Sequence, residues 1–434
     1  MASILPFRAL RYSPARVSVS DVMTQPYDKI TPEMQDRYYA ASPYNLVRII
    51  LGKHEQGDND QKNVYSRAAE CFRQWRAEQV LAQDPQPAIY TYAQHFSVPT
   101  ELGKSYERRG FIALGKLEPY ENGVVFRHER TLSGPKTDRL NLLRATEAHF
   151  GQIFMLYADP AGEIDEALAK VAKYAPDVEV DDEYDVHHRL WVTPGLGELI
   201  TSKMADKKLI IADGHHRYET ALNYQAERRK DAWECEGRDM PFDYVMMTFI
   251  NMYSEGVVIL PTHRVVSGLA NFDFARLSKE AGDYFEVEEA PADIDGREAV
   301  DLLHGEGETR SVILAVSKDG SLILRVKPDL ADDLLTDLSP RQRELDVVIL
   351  HKIVLELLLD ISEEAVREQK NIAYLRSSQE AIDRVRAGAD VAFLMNPVRL
   401  HQMRDIAFAG EVLPQKSTDF YPKLLSGLTM YALE

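Results

Sequence analysis

An acid, a glycine, two histidines and an arginine close the apolar run in "KKLIIADGHHRYET", residues 207–220. Each of these residue types carries its own chemistry. Asp213 can orient a histidine, bind a metal or accept a proton. His215 and His216 titrate near neutral pH and can move protons. Arg217 offers a planar fork of donors suited to a phosphate or carboxylate. Gly214 permits a tight turn that a side chain would obstruct. The spacing predicts a strand over 209–212, a turn at Gly214 and a helix from about His215. Unpaired amides at such a helix start face the space beyond the strand, an anion-binding position. The segment matches neither GxxxxGK[ST] nor GxGxxG and lacks zinc-ligand spacing. A plainer reading has Asp213 as a helix cap and Arg217 paired with Glu219 or a remote carboxylate.

Four other stretches concentrate chemistry. "RHERTLSGPKTDR" (127–139) packs Arg127, His128, Glu129, Arg130, Lys136, Asp138 and Arg139 together. Arg127, Lys136 and Arg139 are candidate contacts to an anionic ligand. Glu129 is a candidate base, on the same face as Arg127 if a strand continues through them. In "QPYDKI" Asp28 is a candidate substrate or metal contact, with turn chemistry as its ordinary role. "LPTHRVV" ends an apolar strand on His263 and Arg264, where side chains often line a crevice. "QKSTDFYPK" offers Lys416, Ser417, Thr418 and Lys423, which could hold a phosphate.

The elements that must position these groups alternate between strand and helix. Thr31 and Pro32 open a helix as cap and first residue. Tyr65, Ala68, Phe72 and Trp75 recur at helical spacing. "AIYTYAQHF" and "RRGFIALGKL" alternate like neighbouring strands, "VVFRHERTL" reads as another, and "KTDRLNLLRATEAHF" reads as a helix. "SVILAV" and "SLILRV" pair through "SKDG". The tail reads as a helix over 341–358, a helix capped by Ser362 and a last strand "DVAFLM". This predicts a mixed α/β domain over 1–265 and a smaller α+β module over 266–434. A loop at 414–428 is expected to close the site.

The 434 residues carry 51 Lys plus Arg against 69 Asp plus Glu, a net charge of −18 that disfavours a non-specific grip on nucleic acid. A local basic pocket remains compatible with it. Two cysteines, Cys71 and Cys235, make no disulfide framework, and no window is long and apolar enough to span a membrane. The expectation is a cytoplasmic protein with a small anionic ligand and neither nucleic-acid nor membrane partners.

The separated stretches "QPYDKI", "ERRGFIAL", "RHERTLSGPKTDRLNLLRAT", "IADGHHRYETAL", "LPTHRVV" and "QKSTDFYPKLLSGL" occur in order along nearly the whole chain. On them the sequence is identified as a member of the family called domain of unknown function 1015. "ADGHHR" also resembles the strand–turn–helix of the ParB and sulfiredoxin superfamily, where a Gly–x–x–Arg segment binds nucleotide phosphates. That resemblance implies phosphate contacts at Gly214 and Arg217, and some members of the superfamily phosphorylate free serine. It implies a nucleotide-dependent small-molecule kinase; phosphoryl transfer from ATP or ADP calls for Mg2+, for which the residues themselves offer Asp28 and Asp213 as candidate contacts. Asp213, His215, His216 or Glu129 would take the proton. Gly214, Arg217, Arg127, Lys136, Arg139, His263, Arg264, Lys416 and Ser417 would hold the nucleotide. Two alternatives stay open: a phosphatase acting on a phosphorylated metabolite, and a non-catalytic regulator that binds a nucleotide or metabolite.

Overall fold

The computed structural model describes residues 2–99, 103–129, 134–231, 237–307, 310–328, 330 and 334–434. Arg130 and Cys235 lie outside them. The chain forms two compact units. The first comprises 1–127, 131–258 and 422–434, and the second 128–130 and 259–421. No single cut near 265 separates them: His128 and Glu129 belong with the second unit, and the last thirteen residues return to the first.

The first unit is built on a nine-stranded mixed sheet. Its strands are β1 (Ile4–Leu5), β2 (Ile89–Ser97), β3 (Ser105–Lys116), β4 (Val125–Phe126), β5 (Ile153–Tyr157), β6 (Val178–Asp181), β7 (His187–Thr193), β8 (Leu209–Asp213) and β9 (Tyr244–Asn251). Their order is β4-β8-β5-β9-β3-β2-β7-β6, with β1 added beside β3. The alternating stretches of the sequence pair as expected: β2 and β3 run antiparallel from Tyr90 opposite Ile112 to Ser97 opposite Ser105. The strand expected through "VVFRHERTL" stops at Phe126, so Arg127 and Glu129 do not share a strand face. β9 is buried along its whole length, as a central strand flanked on both sides must be.

β8 runs parallel to β4 and antiparallel to β5, with the register slipping between Ile211 and Asp213. Helix α1 (Gly134–Thr146) and helix α2 (His215–Asp231) share an apolar cluster in which Leu143 and Tyr224 meet Phe242. Thr31 caps the helix Pro32–Ala41, and Asn63 caps the helix Val64–Ala77, which buries Ala68, Phe72 and Trp75. The returning tail is stitched in by bridges from Ser426 to Thr24 and from Met430 to Leu10.

The second unit holds a six-stranded sheet of β10 (His263–Val266), β11 (Phe285–Ala290), β12 (Val312–Ser317), β13 (Gly320–Val326), β14 (Ile372–Leu375) and β15 (Val391–Met395), ordered β11-β13-β12-β15-β10-β14. The expected "SKDG" hairpin joins β12 to β13. Helices α3 (Gly296–Gly307) and α4 (Ser378–Arg386) cover it through Ala299, Leu303, Ala381 and Ile382. The single helix expected over 341–358 is instead two short α turns, Pro340–Arg343 and Asp346–Ile349, followed by a π-helix, Leu350–Leu358. Its wide winding ends with the Leu359 amide on the Val354 carbonyl, five residues back. Among the described residues, no helix is long and apolar enough to cross a membrane.

Candidate functional site

The turn after β8 is made by Gly214 at φ +95°, a conformation that side-chain-bearing residues rarely adopt. The space a Cβ would need there is also taken. It would meet the Arg217 guanidinium at 3.1–3.2 Å, and a Cβ on Gly151 would meet the same guanidinium at 3.2 Å. Two glycines thus clear a slot for one arginine. Within it, Arg217 donates one nitrogen to Asp213 Oδ2 at 2.7 Å and another to the Gln152 carbonyl. The two anchors fix the fork before any ligand arrives. Gly214→Ala is expected to cost about 1–3 kcal/mol from the left-handed backbone and the displaced guanidinium, read as a lowered melting temperature.

Several positive charges act on Asp213. Lys423 Nζ lies 3.3 Å from its Oδ1. Burial pushes the Asp213 carboxyl up, but Lys423, Arg217, Lys29 and His215 together outweigh it and hold the group far below the usual carboxylate range. The Asp213 side chain is still 25 % exposed, whereas Lys423 is only 10 % exposed. Lys423 is delivered by the returning tail. Its own carbonyl accepts from Gln94 Nε2 at 2.9 Å, and the Pro422 carbonyl accepts from Arg108. Arg108 is itself buried, and its guanidinium is pulled down to about 10 by that burial. Tyr27 borders the cluster, with Arg139 over its ring at 4.0 Å.

This geometry corrects several sequence expectations. The cations around Asp213 hold it ionised and weaken it as a proton acceptor. It is also a poor metal ligand, because both its oxygens already face cations. Asp28 is exposed and makes no side-chain hydrogen bond to any described residue. No group of three or more His, Cys, Asp or Glu able to hold a metal exists among the described residues. Arg127 and Lys136 do not join Arg217: both pair with Glu219 on α2, Arg127 at 3.7 Å. Arg139 donates to Asp138 Oδ2 and, at 2.7 Å, to the Ile50 carbonyl.

His215 and His216 open α2 in the first unit, whereas Glu129, His263, Arg264, Lys416 and Ser417 belong to the second. Glu129 Oε1 accepts from the Thr418 amide at 2.9 Å and from its hydroxyl at 2.7 Å, which fastens a loop. His263 is buried, with Nε2 3.0 Å from Ser378 Oγ and Nδ1 accepting from the Met395 amide. Arg264 is buried as well and donates to the Thr262 and Lys416 carbonyls and to His351 Nε2. Ser417 Oγ donates to the Pro414 carbonyl at 2.6 Å. The side chains of Glu129, His263, Arg264 and Ser417 are thus occupied in holding the second unit together.

Sequence reasoning offered Lys423 as a phosphate contact but did not place it beside Asp213, gave Lys29 no role, and missed Arg108, His149 and Thr220. His149 and Thr220 line a recess of about 70 Å³ in the first unit together with Tyr27, Arg139, Gly151 and Arg217.

The family model described as "Protein of unknown function (DUF1015)" matches residues 4–348. No curated protein matches the sequence. Among solved structures, a free serine kinase in complex with ADP aligns at 12 % identity over 74 % of this chain and 92 % of its own, with a TM-score of 0.38. A conserved hypothetical protein from Pyrococcus furiosus aligns at 11 % identity over 71 % and 90 %, with a TM-score of 0.34. SbnI with a C-terminal truncation, from Staphylococcus aureus, aligns at 12 % identity over 72 % and 85 %, with a TM-score of 0.33.

Proposed function

The chain belongs to this DUF1015 family, and we propose that it is a phosphotransferase moving a phosphoryl group from ATP or ADP to a small hydroxylated metabolite, serine being the first acceptor to try. The observation that carries the reading is the convergence of Arg217, Lys423 and Lys29 on the single carboxylate of Asp213, in a chain whose net charge is −18. The cluster lies at a partly buried strand end, where a phosphate is held more strongly than in open water. The Asp213 and Gln152 contacts pre-orient Arg217, so little reorganisation is needed on binding.

In this reading Asp213 is a positioning residue. The acceptor oxygen forms a bond to the terminal phosphorus as the bond to the leaving nucleotide oxygen breaks. The hydroxyl proton passes to a histidine at the helix start, His215 or His216. Among the described residues no group of His, Cys, Asp or Glu forms a cage for a metal, so Mg2+ would be held chiefly by the nucleotide's phosphate oxygens.

Incubation with ATP or ADP, Mg2+ and serine, followed by mass spectrometry, tests the reading. Phosphoserine formed only when nucleotide is present is the expected result. Phosphate released from phosphoserine without nucleotide would replace transfer with hydrolysis. Nucleotide binding without any turnover across hydroxylated metabolites would make the protein a regulator.

A further inference from the structure

The recess beside Arg217 has a composition that its structural role does not require. Its walls are apolar, from Ile50, Leu142, Leu143, Ala148, Phe150 and Val245. Two guanidiniums, Arg217 and Arg139, also line it. Thr220, one turn along α2 from Arg217, is only 3 % exposed, and its hydroxyl has no hydrogen-bond partner. A buried hydroxyl left unpaired is destabilising, so a ligand that pairs it gains affinity. His149 faces the same space. Its ring stacks on Tyr431 at 6.2 Å, and it makes no side-chain hydrogen bond to any described residue. Burial pushes His149 down to about 4, so near pH 7 it is neutral and can both donate and accept.

We infer that this recess is a specificity pocket for the acceptor, taking a short carboxylic acid that bears a hydroxyl substituent. Arg139 meets the carboxylate, the apolar walls cover the short carbon chain, and Thr220 and His149 read the substituent, with Arg217 at the pocket's edge left to the nucleotide. Size supports the class. At about 10–15 Å³ of such space per water, 70 Å³ holds about five to seven non-hydrogen atoms. That suits an acid of three carbons and is too small for a purine. This inference deepens the phosphotransferase reading and rests on it.

The test uses the full chain, with and without ADP, and calorimetric titration of four probes: L-serine and D-glycerate, each set against its analogue lacking the hydroxyl, alanine and propionate (for glycerate, both hydroxyls). Thr220→Val keeps the volume and removes the hydroxyl. It is expected to weaken the hydroxylated acids by about tenfold, and the other two by less than about twofold. His149→Phe preserves the stack and should act in the same direction, so the result does not depend on one variant folding. Equal losses for all four probes would overturn the assignment. So would unchanged affinities, or no binding of any acid up to about 10 mM. Discrimination by Thr220 with no phosphoryl transfer would overturn the phosphotransferase reading alone. Transfer that is indifferent to Thr220→Val would overturn the recess alone.

Discussion

Arg217→Ala weakens the binding of ADP, or of sulfate as a simple probe, by about 2–5 kcal/mol, equivalent to roughly thirtyfold to several thousandfold. The size follows from two features of the slot. The guanidinium is already locked against Asp213 and the Gln152 carbonyl, so an anion gains a charge-assisted contact without ordering a long side chain. The arginine is also largely sheltered, at 15 % exposure, where screening is weak. Removing it does not strand Asp213, whose other oxygen keeps Lys423 at 3.3 Å. The fold should therefore survive, with a melting temperature close to the parent's in the absence of ligand. Arg217→Lys should recover only part of the affinity, because a lysine lacks the planar fork that reaches two anchors at once. Calorimetry with ADP and with sulfate gives the numbers. Parent-like affinity in the alanine variant would remove Arg217 from the site.

The local part of this arrangement was legible because it is contiguous. An apolar run ending in glycine marks a strand and a tight turn, and Arg217 lies four residues beyond Asp213, one helical turn. What Asp213 faces was not legible. Lys423 is 210 residues away and arrives on a tail that leaves the second unit and rejoins the first. No periodicity encodes such a return. Glu129 misled for the opposite reason. Its closeness to Arg127 in sequence suggested a shared face, but the strand stops at Phe126 and the next residues enter a different unit. The helix expected over 341–358 has the right apolar content, yet one break and a π winding replace regular turns, and composition does not distinguish these. Thr220 and His149 carry no signal at all. A threonine within a helix and a histidine before a phenylalanine become informative only once their unpaired atoms are seen to face the same space.

The second unit should lose stability as the solution is acidified from pH 6 to 4.5, by about 2 kcal/mol. Burial, with Arg264 nearby, pushes His263 down to about 3. The histidine is held neutral by its bonds: Nδ1 accepts from the Met395 amide, so it cannot carry a proton, and Nε2 therefore donates to Ser378. Burial, Arg264 and Lys352 likewise hold His351 well below its ordinary value. Unfolded histidines take up a proton near 6.5. Below that pH the unfolded chain gains two protons that the folded unit refuses, which favours unfolding. Asp346 works against them. Burial raises it to about 6, so between its unfolded value near 4 and pH 6 the folded unit holds a proton that the unfolded chain lacks. The balance is one proton in favour of the unfolded state, or about 1.4 kcal/mol per pH unit. His263→Gln can keep both hydrogen bonds, accepting from Met395 and donating to Ser378, but cannot titrate. It should therefore flatten the dependence in this window almost completely. Denaturant midpoints at several pH values, followed by hydrogen exchange in β10 and β15, read the second unit separately. A slope that persists unchanged in the glutamine variant would mean that His263 takes up its proton in the folded state as readily as in the unfolded chain.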